Sequence, residues 1–302
     1  MKFYDTAHNF LGIEESQWSE YDSSDVVLQL LPYEHTSSYQ AGSKQGPKAM
    51  LEASHFVEYY DEELDQETYR EMGISTQHEL NFEDKVDKAA VQLIKDNTLK
   101  HLNNGKFIMS FGAEHTVSLG VFEAIHSLDH TVSVLQIDAH SDLRDSYEGN
   151  KLSHACVMAR INELNVQISQ VGIRAQSVVE AQTIKDTQSI QTFYDHQVNL
   201  TDDLEAQISA HLTDKVYITI DADGIDPAVV PGVGTPEPGG LSYHRLLKIL
   251  KDICRNKKIV GFDIVECAPI DGQIQSQYVL AKLAYKILGY CTLNPNNFKS
   301  YK

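Results

Sequence analysis

Seven side chains in four short segments have the chemistry of metal ligation and acid–base work. "IDAHSD" carries Asp138, His140 and Asp142, "IDAD" carries Asp221 and Asp223, "GAEH" ends in His115, and "GFDIVE" ends in Glu266. Each follows an apolar run of the kind that forms a buried strand. Side chains alternate faces along a strand, so Asp138 and His140 project together, as do Asp221 and Asp223. Asp142 joins them if the chain stays extended for two more residues. Gathered in one dry pocket, the four aspartates carry four negative charges. Two carboxylates roughly 4 Å apart repel by about 4 kcal/mol at an effective dielectric constant of about 20. Such a group persists at neutral pH only by taking up protons or cations. Two divalent ions cancel it, with His115 and His140 as neutral nitrogen ligands. Mixed His and Asp ligation suits Mn²⁺, and also Ni²⁺, Co²⁺, Fe²⁺ or Zn²⁺. A pair of ions roughly 3.5–4 Å apart shares carboxylates and activates water at neutral pH. A single Asp or His at a strand end is ordinarily a cap or a satisfied core group. Unpaired buried carboxylates are costly, however, and several such segments, each after its own strand, point to a binuclear metal site.

The elements that must position these residues are legible around them. From residue 106, "KFIMSFG", "TVSVLQIDAH", "VQISQVGIR", "IQTFYDHQV", "KVYITIDAD" and "IVGFDIVEC" read as strands. Helical stretches such as "TVSLGVFEAIHSL" and "SYHRLLKILKDICRN" alternate with them. That alternation predicts an α/β three-layer sandwich with a mainly parallel central sheet covered by helices on both faces. No linker or repeat divides the chain, so residues 1–302 are read as one domain. Residues 1–45 are read as an irregular segment packed on it, followed by helices at 47–64 and 82–103. The tail "NPNNFKSYK" reads as exposed coil. Ligands of parallel sheets bind at the carboxyl ends of the strands, and every residue singled out above falls there.

Composition narrows the partners. Lys plus Arg number 25 against 43 Asp plus Glu, a formal charge of −18. That balance disfavours nucleic acid and anionic membranes and suits a small cationic ligand. Cys156, Cys254, Cys267 and Cys291 are widely spaced and read as reduced thiols. No stretch has the length of a signal-peptide core or a membrane span, and a cytoplasmic location is expected.

Together, "SFGAEHTVS", "IDAHSDLRDSYEGNKLSHA", "ITIDADGIDPAVVPGVGTPEPGG" and "GFDIVECAP" resemble the ureohydrolase family of arginases, agmatinases and their relatives. The loop "GTPEPGG" is closer to the agmatinase branch. The resemblance implies an arginase-like fold and one metal held by His115, Asp138, Asp142 and Asp221. It implies a second held by Asp138, His140, Asp221 and Asp223, so that Asp138 and Asp221 bridge. It implies that Glu266 orients the substrate guanidinium and that His154, in "LSHA", moves protons at the mouth of the site. It also implies manganese dependence and a homotrimer or homohexamer. The chain departs from the family pattern in three places. "GAEH" stands where G-G-D-H is common, Ala222 and Gly224 replace bulkier residues, and Arg144 stands where arginases carry an Asn. Arg144 meets a substrate carboxylate or pairs with Asp145 or Glu148.

A guanidinium carbon is a poor electrophile because its charge is delocalised. It needs a strong nucleophile, a carboxylate such as Glu266 to fix its plane, and a proton for the departing amine. Asp142 is the nearest proton donor, with His154 resupplying it. The expected activity is hydrolysis of agmatine to putrescine and urea. The alternatives are a guanidino-acid hydrolase, a guanidine hydrolase or a formiminoglutamase on the same scaffold, and a catalytically silent binding relative. A binuclear phosphoesterase is disfavoured because no Arg/Lys-rich phosphate cradle adjoins the motifs.

Overall fold

Strands that are apolar on both faces need helices above and below them. The computed structural model, which describes residues 1–298, has that arrangement. Its main sheet is built from β1 (Val26–Leu31), β2 (Ile74–Thr76), β3 (Phe107–Gly112), β4 (Val132–Ile137), β5 (Ile168–Ile173), β6 (Ile190–Tyr194), β7 (Lys215–Asp221) and β8 (Lys258–Val265). Every pairing in it is parallel. The spatial order is β2-β1-β3-β8-β7-β4-β5-β6.

The main helices are α1 (Gly46–Ser54), α2 (Lys88–Asn103), α3 (Thr116–Leu128), α4 (Val157–Asn162), α5 (Val178–Asp186), α6 (Leu204–His211), α7 (Tyr243–Asn256) and α8 (Gln275–Thr292). One core joins the sheet to α1, α6, α7 and α8, and the other joins its opposite face to α2, α3 and α4. Local sequence fixes the helix ends and faces. Ser177 and Glu180 form a reciprocal capping box at the start of α5. Ser242 caps α7, which buries Leu246, Ile249, Leu250 and Ile253 at amphipathic spacing.

The chain crosses from β3 to β4 over a gap later filled by β7 and β8. As a result β3, β8, β7 and β4 lie side by side, and their carboxyl ends open on one place. One register level across the sheet is polar. Gln29, Ser110, Asp263, Thr219, Gln136, Gln170 and Thr192 stand shoulder to shoulder on seven strands. All but Thr192 are at most 1% exposed.

Three expectations are corrected. Residues 1–45 are not irregular throughout, because "VVLQLL" forms β1, fully buried between β2 and β3. Its short apolar run is broken by Gln29, and the next helix, α1, starts only at Gly46 after a long loop. The helices expected at 47–64 and 82–103 are shorter. The first ends at Ser54 ahead of a two-stranded hairpin at 60–67, and the second starts at Lys88 after a left-handed Asp87. The tail is not simply exposed coil. Asn297 is fully buried, accepts the Ile259 N–H and donates to the carbonyls of Cys254 and Cys291. Phe298 packs 5.4 Å from the Phe107 ring, centroid to centroid. A polar sequence hid an Asn that satisfies buried backbone groups; the rest of that tail, 299–302, lies outside the described residues. Among the described residues no helix is long and apolar enough to cross a membrane. All four cysteines are buried free thiols.

Candidate metal centre

β4 ends at Ile137, and the ligand-type residues begin one step beyond it. The Asp138 carboxylate turns back on its own chain, accepting the His140 N–H at 2.6 Å through Oδ1. The backbone does not stay extended as far as Asp142. Asp142 adopts a left-handed conformation, φ 52°, which is uncommon outside glycine but which aspartate tolerates better than most side chains. This turn, not an extended strand, brings its Oδ2 to 3.0 Å from His115 Nδ1. Glu266 is likewise left-handed, φ 63°, and its Oε1 accepts the His115 N–H at 2.7 Å.

Two groups of donors result: His115, Asp138 and Asp142, and Asp138, His140 and Asp223, each with its atoms within 4.8 Å of one another. Asp138 belongs to both. Asp221 adjoins the first group, with Oδ2 3.4 Å from His115 Nδ1, while its Oδ1 accepts the Asp223 N–H. His115 and Asp138 form a buried floor. Above it opens a cleft of about 300 Å³ lined by His140, Asp142, His154, Asp221, Asp223 and Glu266, among others.

The electrostatics are those of a crowded anionic cluster that draws positive charge onto His115 and His140. Burial, reinforced by Asp142, pushes the Asp138 carboxyl up to about 7, and burial with Asp223 and Asp138 beside it pushes Asp221 well above the usual range. Burial opposes ionisation of Asp223 and His140 too. Their mutual hydrogen bond prevails, lowering Asp223 and raising His140 to about 11. Burial and the neighbouring Glu114 push Glu266 well up.

His115 tests whether a cation fits. Its Nε2 is 2.9 Å from Thr219 Oγ1, which donates to Asp263 Oδ1 at 2.6 Å. Thr219 therefore accepts from Nε2–H, which leaves Nδ1 as the ring nitrogen turned to the cluster. Nδ1 is buried, lies 3.0–3.4 Å from oxygens of Asp142, Asp138 and Asp221, and makes an aligned hydrogen bond to none of them. Against the effect of burial, Asp138, Asp142 and Asp221 hold the His115 ring well above the ordinary imidazole range, and a divalent ion would take the place of that proton between Nδ1 and the three carboxylates.

The polar row supports the floor from below. Thr192 donates to Gln170, Gln170 to Gln136 at 2.6 Å, and Gln136 to Asp138 Oδ2 at 2.7 Å. The two amides also hold the carbonyls of Ser141 and His140, next to the left-handed Asp142. At the rim, Arg174 donates to the carbonyls of Gly172, Asp223, Glu237 and Pro238. It thereby fixes the loop 231–240, whose Glu237 lies 3.8 Å from His140 Nε2.

Arg144 does line the cleft. Its partner is Glu180, 3.7 Å from Nε, and its guanidinium sits 5.3 Å over the Tyr147 ring. Asp145 instead pairs with Lys151 and Arg160.

The family model described as "Arginase family" matches residues 24–289. The chain belongs to the arginase family. It is 38% identical over 284 residues to the N(1)-aminopropylagmatine ureohydrolase of Synechocystis, covering 92% of each chain. It is 32% identical over 276 residues to the agmatinase of Bacillus anthracis, covering 89% of this chain and 92% of that one. Among solved structures, the agmatine ureohydrolase of Thermoplasma volcanium superposes with a TM-score of 0.81 at 29% identity, covering 91% of this chain and 92% of that one. The family fold accounts for the parallel sheet and for the side-by-side strand ends.

Sequence reasoning missed Gln136, Gln170, Thr219, Asp263 and Arg174. For the first and third a signal was present. In "QID" and "TID" a polar residue stands two before an aspartate, on the same strand face.

Proposed function

We propose that the chain is one catalytic domain that hydrolyses the guanidino C–N bond of a linear amidine. Agmatine, giving putrescine and urea, is the first candidate substrate. The observation that carries this reading is the pair of His/Asp groups sharing Asp138 beside Glu266 and His154 in one cleft. His115, Asp138, Asp142 and Asp221 would hold one divalent ion and Asp138, His140, Asp221 and Asp223 the other, with Mn²⁺ the expected metal. When bound, the ions supply Lewis acidity and make water acidic enough to act as a nucleophile at neutral pH. Glu266, anchored through one oxygen by the His115 amide, pairs with the guanidinium and sets its plane. Asp142 holds a proton close to the departing nitrogen, and His154 exchanges protons with solvent. A cytoplasmic homotrimer or homohexamer acting in polyamine metabolism fits this reading.

The similarity to the Synechocystis enzyme favours a second substrate, agmatine carrying an aminopropyl arm. The test is urea release from agmatine, aminopropylagmatine, arginine, guanidinobutyrate, guanidinopropionate, guanidine and formiminoglutamate. One of the two agmatines is expected to lead. The Arg144→Ala variant should change kcat/KM on it less than about threefold, because Glu180 already offsets that charge at a half-exposed position. A wild type that prefers a guanidino acid and leaves both agmatines untouched would remove this substrate assignment while sparing the reaction class.

The amide chain beneath Asp138 gives a second expectation. Gln136→Leu should weaken Mn²⁺ binding about ten- to a hundredfold, the usual effect of losing a group that orients a ligand. Titration calorimetry on metal-free protein measures it, and an unchanged affinity would show that the amide orients nothing.

A further inference from the structure

Glu114, the acid of the departing "GAEH" motif, is occupied away from the metal cluster. It is fully buried. Its Oε2 accepts the N–H groups of His35 and Thr36, at 2.8 and 2.7 Å, and the Thr36 hydroxyl at 3.1 Å. That hydroxyl oxygen also lies 3.0 Å from His154 Nδ1 and accepts the His154 backbone N–H at 3.1 Å. The other end of the same loop is tied by Glu34, which accepts from Ser37, Gly42 and Lys44. Thr36 is therefore held in place on both sides.

A hydroxyl has one proton and two lone pairs. Given to the Glu114 carboxylate, the proton forms the stronger, charge-assisted bond. The two lone pairs then accept both His154 donors, the backbone N–H and Nδ1–H. Ser153 Oγ, at 3.3 Å from Nδ1, is the more distant competitor. The neutral ring is left with its lone pair on Nε2, and His154 lines the cleft with Asp142 and Glu266. Were Glu114 not there, the Thr36 proton would be free to turn to Nδ1, and Nε2 would carry the ring hydrogen instead.

We propose that Glu114 and Thr36 are positioning residues that hold His154 as the Nδ1–H tautomer, so that Nε2 accepts a proton from solvent and resupplies the one that Asp142 gives to the departing amine. The hydroxyl bridge also places the Glu114 charge behind the imidazolium formed in between. No bond to Thr36 or Glu114 is made or broken. The inference rests on the proton-transfer reading of His154 given above.

Two measurements decide it. In ¹⁵N-histidine-labelled protein, His154, assigned by the signals lost in His154→Asn, should show a protonated Nδ1 and a bare Nε2 at a pH where the ring is neutral. An Nε2–H tautomer overturns the proposal, and this measurement needs no variant of the loop. In Mn²⁺-loaded protein, Thr36→Val should lower kcat about thirty- to a hundredfold, with KM and bound metal within about twofold. Thr36→Ser, which restores the hydroxyl, should recover most of the loss. Wild-type kcat in Thr36→Val overturns the proposal, and so does equal damage in the Val and Ser variants. His154→Asn separates the levels. If it keeps full kcat, the proton-transfer reading fails and takes the proposal with it. If it loses kcat while Thr36→Val does not, the proposal alone fails.

Discussion

Asp138→Asn is expected to lose both metal ions at concentrations that saturate the wild type, with affinity down by more than about a hundredfold at each position. Asp138 is the residue common to the two donor groups, and an amide nitrogen cannot replace a carboxylate oxygen toward a hard cation. Asp223 belongs to one group, so Asp223→Asn should retain one ion. The metal-free proteins should behave in the opposite sense. Burial and the charge of Asp142 hold the Asp138 carboxyl up near 7 in the fold, above its value in an unfolded chain. A group raised in this way weakens the fold once pH exceeds its unfolded value, and most fully above its folded value. Near pH 8 the metal-free Asn variant should therefore melt no lower than metal-free wild type, and the difference should vanish towards pH 4. Added Mn²⁺ should raise the melting temperature of the wild type and leave that of the variant in place. Metal analysis and thermal scans check both halves. Two ions bound at wild-type affinity in Asp138→Asn would remove the shared-ligand assignment.

Glu266→Gln is expected to keep two ions and lose about a hundredfold or more in kcat/KM. The glutamine carbonyl can still accept the His115 N–H, so the anchor seen at 2.7 Å survives. What disappears is the negative charge facing the guanidinium. A charge-assisted hydrogen bond contributes about 1.5–3 kcal/mol, which is roughly ten- to a hundredfold. Loss of the planar, two-point fit adds to it. Steady-state urea release together with metal analysis separates the two effects. A variant that loses metal but turns over normally in excess Mn²⁺ would place Glu266 in the metal shell.

Much of this was legible because spacing within one strand is local information. Strands alternating with helices imply the parallel sheet, and the i, i+2 spacing of Asp138/His140 and Asp221/Asp223 marks them as pairs, although Asp138 and His140 lie past the end of β4 and Asp223 sits in a 3-10 turn capped by Asp221. What could not be read depends on distant partners or on backbone conformations that side chains do not announce. Thr36 meets His154 across 118 residues and Gln170 meets Gln136 across 34. Asp142 and Glu266 are non-glycine residues at positive φ, a conformation their sequence does not announce. β1 was missed because a polar Gln29 interrupts its apolar run, and the structure shows that glutamine bonded to Thr98 and Asn97 of α2.

The row of polar side chains that crosses seven strands does more than brace the ligands. A slip of one strand by a single residue would reverse its faces. Gln136 or Gln170 would then enter the opposite core, packed with residues such as Leu135, Ile137 and Val171, without an amide partner. Two apolar faces of similar character discriminate poorly against such a slip, whereas an orphaned buried amide costs about 1–3 kcal/mol. The seam thus acts as an alignment code for chain assembly, selecting the one threading of the strands in which the donors also converge. Replacing it wholesale with aliphatic residues would be expected to give a sheet that still condenses but no longer settles on one alignment.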